Sequence, residues 1–286
     1  MTKDERINVY RSTIRMVNAK GYSIGSVDVN FDNDATMMGN TKFYSSKVNI
    51  EHSLLPKYDT EVKVMDNDCL DVAQSLVRLG FKPAVLNMAS FHTPGGGVER
   101  GSAAQEESLF RRTNLFRSLY QFHEIGTNYG IEQRDERYPM QMSYGGIYTP
   151  GVTVFRKSEN EDCKIMDDAF RVDVISLPAV RKPTIKADGD VEDWVKDTLY
   201  KKVKQILDIA LENGNDSLVL SAFGCGAYGT PPKIVAKIFH DVIDSEEYKG
   251  LFKAIYFAII NLPSTNGEHN PEGNFKPFKD EFTPAI

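Results

Sequence analysis

Apolar positions along the 286-residue chain switch between two periods. Ile7, Tyr10, Ile14 and Val17 recur at three- and four-residue spacing. This predicts a first helix, opened by a capping box at Thr2 and Glu5 and closed near Gly21. Residues 22–60 are polar and irregular, with one strand expected around 42–50. Residues 60–65 alternate with period two, and Asp68 is placed to cap a helix that runs to Leu79 and stops at Gly80. Three short apolar runs, 84–90, 217–223 and 254–260, read as strands buried on both faces. Between them the pattern predicts a helix from Glu107 to about Phe122, a long loop over 124–145, and strands over 146–155 and 171–180. Trp194, Val195, Thr198, Leu199, Val203, Ile206 and Ala210 form a helical stripe within 191–211, and a further helix covers 234–242. Strands alternating with helices predict an α/β fold with a mostly parallel central sheet. No repeat or linker interrupts the pattern, so one domain is expected, with residues 1–60 as an N-terminal extension.

Two glycine-rich loops then change the picture. Gly95, Gly96 and Gly97 follow the first buried run, and Gly224, Gly226, Ala227 and Tyr228 follow the second. In open α/β sheets ligands bind outside the carboxyl ends of strands, where both loops fall. Glycine backbone can approach a ligand closely, and inward N–H groups suit an anion. The second loop enters a helix, with Thr230 a candidate N-cap and Pro at the first helical position. Glu106 and Glu107 follow the first loop and can do acid or base work on a bound sugar or nucleotide.

The arrangement Gly95-Gly-Gly97, then residues 98–104, then Gln105-Glu106-Glu107 resembles the signature of poly(ADP-ribose) glycohydrolases. The flanking Leu86-Asn-Met-Ala-Ser and Ser108-Leu-Phe-Arg-Arg-Thr are similar to the microbial-type branch, over nearly the whole chain. That resemblance implies a three-layer α/β/α macrodomain-like fold with a mixed sheet and an N-terminal helical extension. It implies Glu107 as acid, then base, in cleaving a ribose–ribose bond through an oxocarbenium-like transition state. A single residue in both roles departs from the usual pair of glycosidase carboxylates. Burial beside Glu106 is expected to lift the Glu107 carboxyl. Glu106 would hold ribose hydroxyls.

The same resemblance places ADP-ribose against Gly95, Gly96, Gly97, Val98, Gln105, Asn87, Gly224, Gly226 and Ala227. The glycine triplet would wrap the distal ribose and diphosphate. Tyr228 stands where the branch commonly has a stacking Phe, and Thr230 where Asn or Asp is more usual. Asp68 reads equally as a helix cap or as the acceptor of the adenine amino group. Asn87 would pin the loop or touch ribose, and Phe275 would stack on adenine or pack the tail.

Composition narrows the partners. A formal charge of -6 speaks against general nucleic-acid binding, so recognition of one terminal polymer unit is expected. Cys69, Cys163 and Cys225 are too few and too scattered for a disulfide framework and suit a reducing cytosol. The five histidines lack metal spacing, no dinucleotide fingerprint is present, and no run suits a membrane span. The expectation is a cytoplasmic monomer without metal or redox cofactor, acting on poly(ADP-ribose) or ADP-ribosylated macromolecules with ADP-ribose as product. A non-hydrolytic ADP-ribose reader and a mono-ADP-ribosyl hydrolase remain the competing readings.

Overall fold

The three apolar runs become central strands of one seven-stranded sheet. A computed structural model describes residues 1–262 and 267–283. The strands are β3 (Lys42–Tyr44), β4 (Glu61–Met65), β5 (Pro83–Met88), β6 (Gly146–Arg156), β7 (Ile165–Leu177), β8 (Ser217–Leu220) and β9 (Ala254–Ala258). Their order is β3-β6-β7-β5-β8-β9-β4. From β7 through β5, β8 and β9 to β4 every neighbour is parallel, whereas β6 runs antiparallel to both β3 and β7.

Side-chain alternation decides the layers. Ala84, Leu86, Leu218 and Leu220 point to one face, where they meet α6 (Asp193–Glu212), α7 (Pro232–Ile243) and α8 (Phe275–Phe282). Val85 and Val219 point to the other, against α1 (Lys3–Asn18), α3 (Cys69–Arg78), α4 (Gln105–Arg112) and α5 (Phe116–Leu119). Strands covered on both faces carry apolar residues at both parities, which is why these runs are continuous rather than alternating. None of the described helices is long and apolar enough to cross a membrane.

Residues 1–60 are woven into this body. The expected capping box at Thr2 and Glu5 is present, but α1 ends at Asn18, and the chain turns through Lys20 at φ 62° rather than at Gly21. Residues 22–60 hold more structure than their polarity suggests. They contribute a hairpin of β1 (Gly21–Ile24) and β2 (Val27–Asn30), the short helix α2 (Asp34–Gly39) and edge strand β3. The helix expected to reach Phe122 is broken. Thr113 is extended (φ -139°) and bridges Val154 of β6, while its hydroxyl accepts from the Leu115 amide at 3.1 Å and so starts a new helix. Strand β7 begins at Ile165, six residues before the expected start. Trp194, read as part of the buried stripe of α6, is 54% exposed.

Candidate active site

The sheet opens between β5 and β8. These strands pair only over Pro83–Val85 and Ser217–Val219, so the carboxyl end of β5 loses its neighbour on that side. The Gln105 side chain supplies the missing bonds: Nε2 donates to the Leu86 carbonyl at 2.6 Å, and Oε1 accepts from the Met88 amide at 2.9 Å. That clamp seats the first turn of α4 at the strand end. A cavity of about 530 Å³ lies above it, lined by both glycine loops, Glu106 and Glu107.

The glycine loop serves the glutamates. Gly95 N–H donates to Glu106 Oε1 at 3.0 Å, Gly97 N–H to Glu107 Oε1 at 2.8 Å, and Gly96 N–H to the Thr93 carbonyl at 3.1 Å. All three amides of the triplet are therefore committed within the protein. Gly96 has φ +53°, and a Cβ there would stand 2.6 Å from Glu107 Oε1 and 3.3 Å from Glu106 Oε2. A side chain would fill the space that both carboxylates share. From behind, α1 braces the turn, since Thr13 donates to the Arg111 carbonyl at 2.5 Å and a Cβ on Gly101 would run into the Lys3 backbone.

The two carboxylates differ. Both oxygens of Glu106 are held: Oε2 also accepts from Ser90 N–H at 2.8 Å, and Asn87 Nδ2 approaches Oε1 at 3.5 Å. Burial, aided by neighbouring Glu107, pushes the Glu106 carboxyl up to about 8 against the pull of those donors. Glu107 is 7% exposed and faces the cavity. No described residue donates to its Oε2, so that oxygen is available for proton transfer.

The second loop has free donors. The amides of Gly226, Ala227 and Tyr228 bond to no acceptor among the described residues, in contrast to those of the triplet. A Cβ on Gly224, which has φ +78°, would clash with Ala179, so only glycine allows this tight turn. Pro231, not Thr230, caps α7, and the Thr230 hydroxyl lies buried and unpartnered beneath the loop. His269 Nε2 meets the Cys225 carbonyl at 2.8 Å and pins the loop from outside. Burial pushes the Cys225 thiol up, which leaves it a poor nucleophile. Tyr228 lines the cavity, and its hydroxyl accepts from Phe91 N–H at 3.0 Å, which fixes the ring. Cavity-lining Arg100, Arg181 and Lys182 escaped the sequence reading. The Arg181-Lys182 pair just beyond the end of β7 was the available signal.

Other expected ligand contacts lie elsewhere. Asp68 caps α3, accepting from the amides of Leu70 (2.9 Å) and Asp71 (3.3 Å), and both its oxygens meet Arg112 at 2.8 Å. The capping alternative is the one seen, and the ion pair ties the end of α4 to α3. Asn87 sits beneath Glu106, bonded to Ser176 at 3.0 Å. Val98 is buried in the core, and Phe275 packs with α8 against the opposite layer. Neither lines the cavity.

Residues 11–157, slightly over half of the chain, match the catalytic-domain family of microbial-type PARG. Among solved structures, poly(ADP-ribose) glycohydrolase from Thermomonospora curvata bound to the inhibitor ADP-HPD is 28% identical. The match covers 97% of this chain and 99% of that one with a TM-score of 0.78. The Deinococcus radiodurans poly(ADP-ribose) glycohydrolase in complex with ADP-ribose is 24% identical, with 88% and 98% covered and a TM-score of 0.67, a likeness of fold. No curated protein matches the chain.

Proposed function

The chain belongs to the microbial-type poly(ADP-ribose) glycohydrolase family, and we propose that it releases ADP-ribose from the end of the polymer with Glu107 as its acid and base. The observation that carries the assignment is the unequal tethering of the two carboxylates. Glu106 is held at both oxygens, whereas Glu107 is held at Oε1 alone and presents Oε2 to the cavity.

The steps follow from that geometry. Protonated Glu107 delivers its proton from Oε2 to the departing 2′-oxygen as the bond to the anomeric carbon breaks. The oxocarbenium ion takes up water, which returns a proton to Glu107. Glu106, fixed by Ser90 and Gly95, accepts from ribose hydroxyls and holds the sugar across the cleavage point. The free amides of residues 226–228 receive the diphosphate, with Arg181 and Lys182 adding positive charge. Tyr228 offers an aromatic face to the ribose. A binding module would have no need of a carboxylate oxygen left without a donor beside a fully tethered one.

The test is release of free ADP-ribose from poly(ADP-ribose), followed by chromatography and mass spectrometry. Glu107→Gln is expected to lose turnover by at least about 100-fold, in the range of a removed general acid, while still binding ADP-ribose by calorimetry. Comparable turnover in that variant would remove Glu107 from the chemistry. Absence of release by the unmodified protein, with binding intact, would favour a reader.

A further inference from the structure

We propose that Arg100 forms a separate subsite for the leaving side of the polymer, where it binds the diphosphate of the unit next to the one released. The inference rests on the glycohydrolase reading above. The cavity has a buried acidic floor, Glu106 and Glu107, and an exposed cationic rim. Arg100, Arg181 and Lys182 make no ion pair with any described residue, in a chain whose formal charge is -6. Unpaired cations gathered at one cavity mouth mark a place for phosphate.

The rim divides into two groups. Lys182 and Arg181 stand beside the free amides of the second loop, since Lys182 N–H donates to the Tyr228 carbonyl at 2.8 Å. They serve the unit being released. Arg100 stands on the other loop. Its amide donates to the Gly97 carbonyl at 2.9 Å, and Gly97 in turn holds Glu107. The Arg100 backbone is therefore tied through Gly97 to Glu107, and its side chain lines the cavity on that side. Neighbouring Glu99 is turned to the Tyr129 hydroxyl and forms no ion pair with Arg100. In the polymer only a ribose ring separates the cleaved 2′-oxygen from the next diphosphate. A flexible guanidinium beside Glu107 is suited to meet that phosphate in a bidentate manner.

The experiment compares kcat/KM on poly(ADP-ribose) with kcat/KM on ADP-ribose joined at its anomeric carbon to an uncharged phenol. Arg100→Gln is expected to lower the ratio of polymer to phenol substrate roughly three- to ten-fold, mainly through KM, as befits one exposed charge-assisted contact. The wild-type ratio is expected to fall with added salt more steeply than that of the variant. Lys182→Gln, on the other group, is expected to weaken both substrates and ADP-ribose binding together, leaving the ratio in place. An unchanged ratio in Arg100→Gln, with the wild-type protein active on polymer, would overturn the subsite alone. Absence of wild-type activity on polymer would overturn the glycohydrolase reading and the subsite with it.

Discussion

Replacing Glu106 by Gln should remove a pH dependence of stability that the fold builds into this one carboxyl. In the folded protein burial pushes Glu106 from its ordinary 4.5 up to about 8. The folded state therefore holds the proton more tightly than the unfolded chain. The stability this contributes is fully present below the unfolded value and is lost as pH rises through 8. Between pH 6 and pH 9 the unfolded carboxyl is ionised throughout while the folded one gives up its proton. Integrating over that window gives a decline on the order of 2 to 3 kcal/mol for the wild type. The variant cannot ionise at this position, so it lacks that decline. The Ser90 and Gly95 amides donate to different oxygens of Glu106, and a carboxamide has only one that can accept, so the variant loses one of these bonds at pH 6 and pH 9 alike. That constant loss drops out of the change across the interval, as do contributions from titrating groups that do not touch Glu106, so the change reports the charge. The assay is urea unfolding of both proteins without ligand at pH 6 and pH 9, read by far-ultraviolet circular dichroism. The variant should gain on the wild type by roughly 2 kcal/mol or more across the interval. A gap between the two proteins that stays constant to within about 0.5 kcal/mol, the ordinary scatter of surface substitutions, would refute the reasoning.

Two further outcomes follow from the same geometry. Gly96→Ala places a methyl group 2.6 Å from Glu107 Oε1 at φ +53°, so it should cost about 1–2 kcal/mol of stability for the left-handed backbone and reduce polymer turnover as well as ADP-ribose affinity, read by calorimetry and product release. Arg112→Met removes the buried partner of both Asp68 oxygens and should destabilise the fold by about 3–5 kcal/mol, measured as a lower unfolding midpoint, with the ends of α3 and α4 losing hydrogen-exchange protection first.

The central strands were legible in the sequence because a strand covered on both faces must be apolar at every position, and 84–90, 217–223 and 254–260 are. Residues 22–60 were opaque for the opposite reason. The hairpin β1–β2 and edge strand β3 bury only alternate or scattered side chains, so their polarity imitates a loop. The break at Thr113 was invisible because a distant strand, through Val154, supplies the pairing that pulls the backbone out of the helix. A local pattern records a residue's own preference and not the partner that overrides it.

The site divides along the same line. Glu106, Glu107 and the two glycine loops were found because their chemistry is compressed into short stretches. What the sequence could not show was the direction of the interactions. A glycine without a Cβ announces that something comes close, and the close approach at Gly96 is by the protein's own carboxylates. Asp68 shows the same limit. An aspartate before a helix suits a cap or a ligand, and the deciding partner, Arg112, lies 44 residues away in the chain. The cations at the cavity mouth come from two separate segments, the loop of Arg100 and the Arg181-Lys182 pair, and meet only because β5 and β7 end on the same side of the sheet. Rim charge of this kind acts through space and carries no spacing rule. It is therefore the part of the site that local sequence specifies least and where substrate preference is freest to change, while the tethering of Glu106 and Glu107 by backbone amides ties the chemistry to the loop itself.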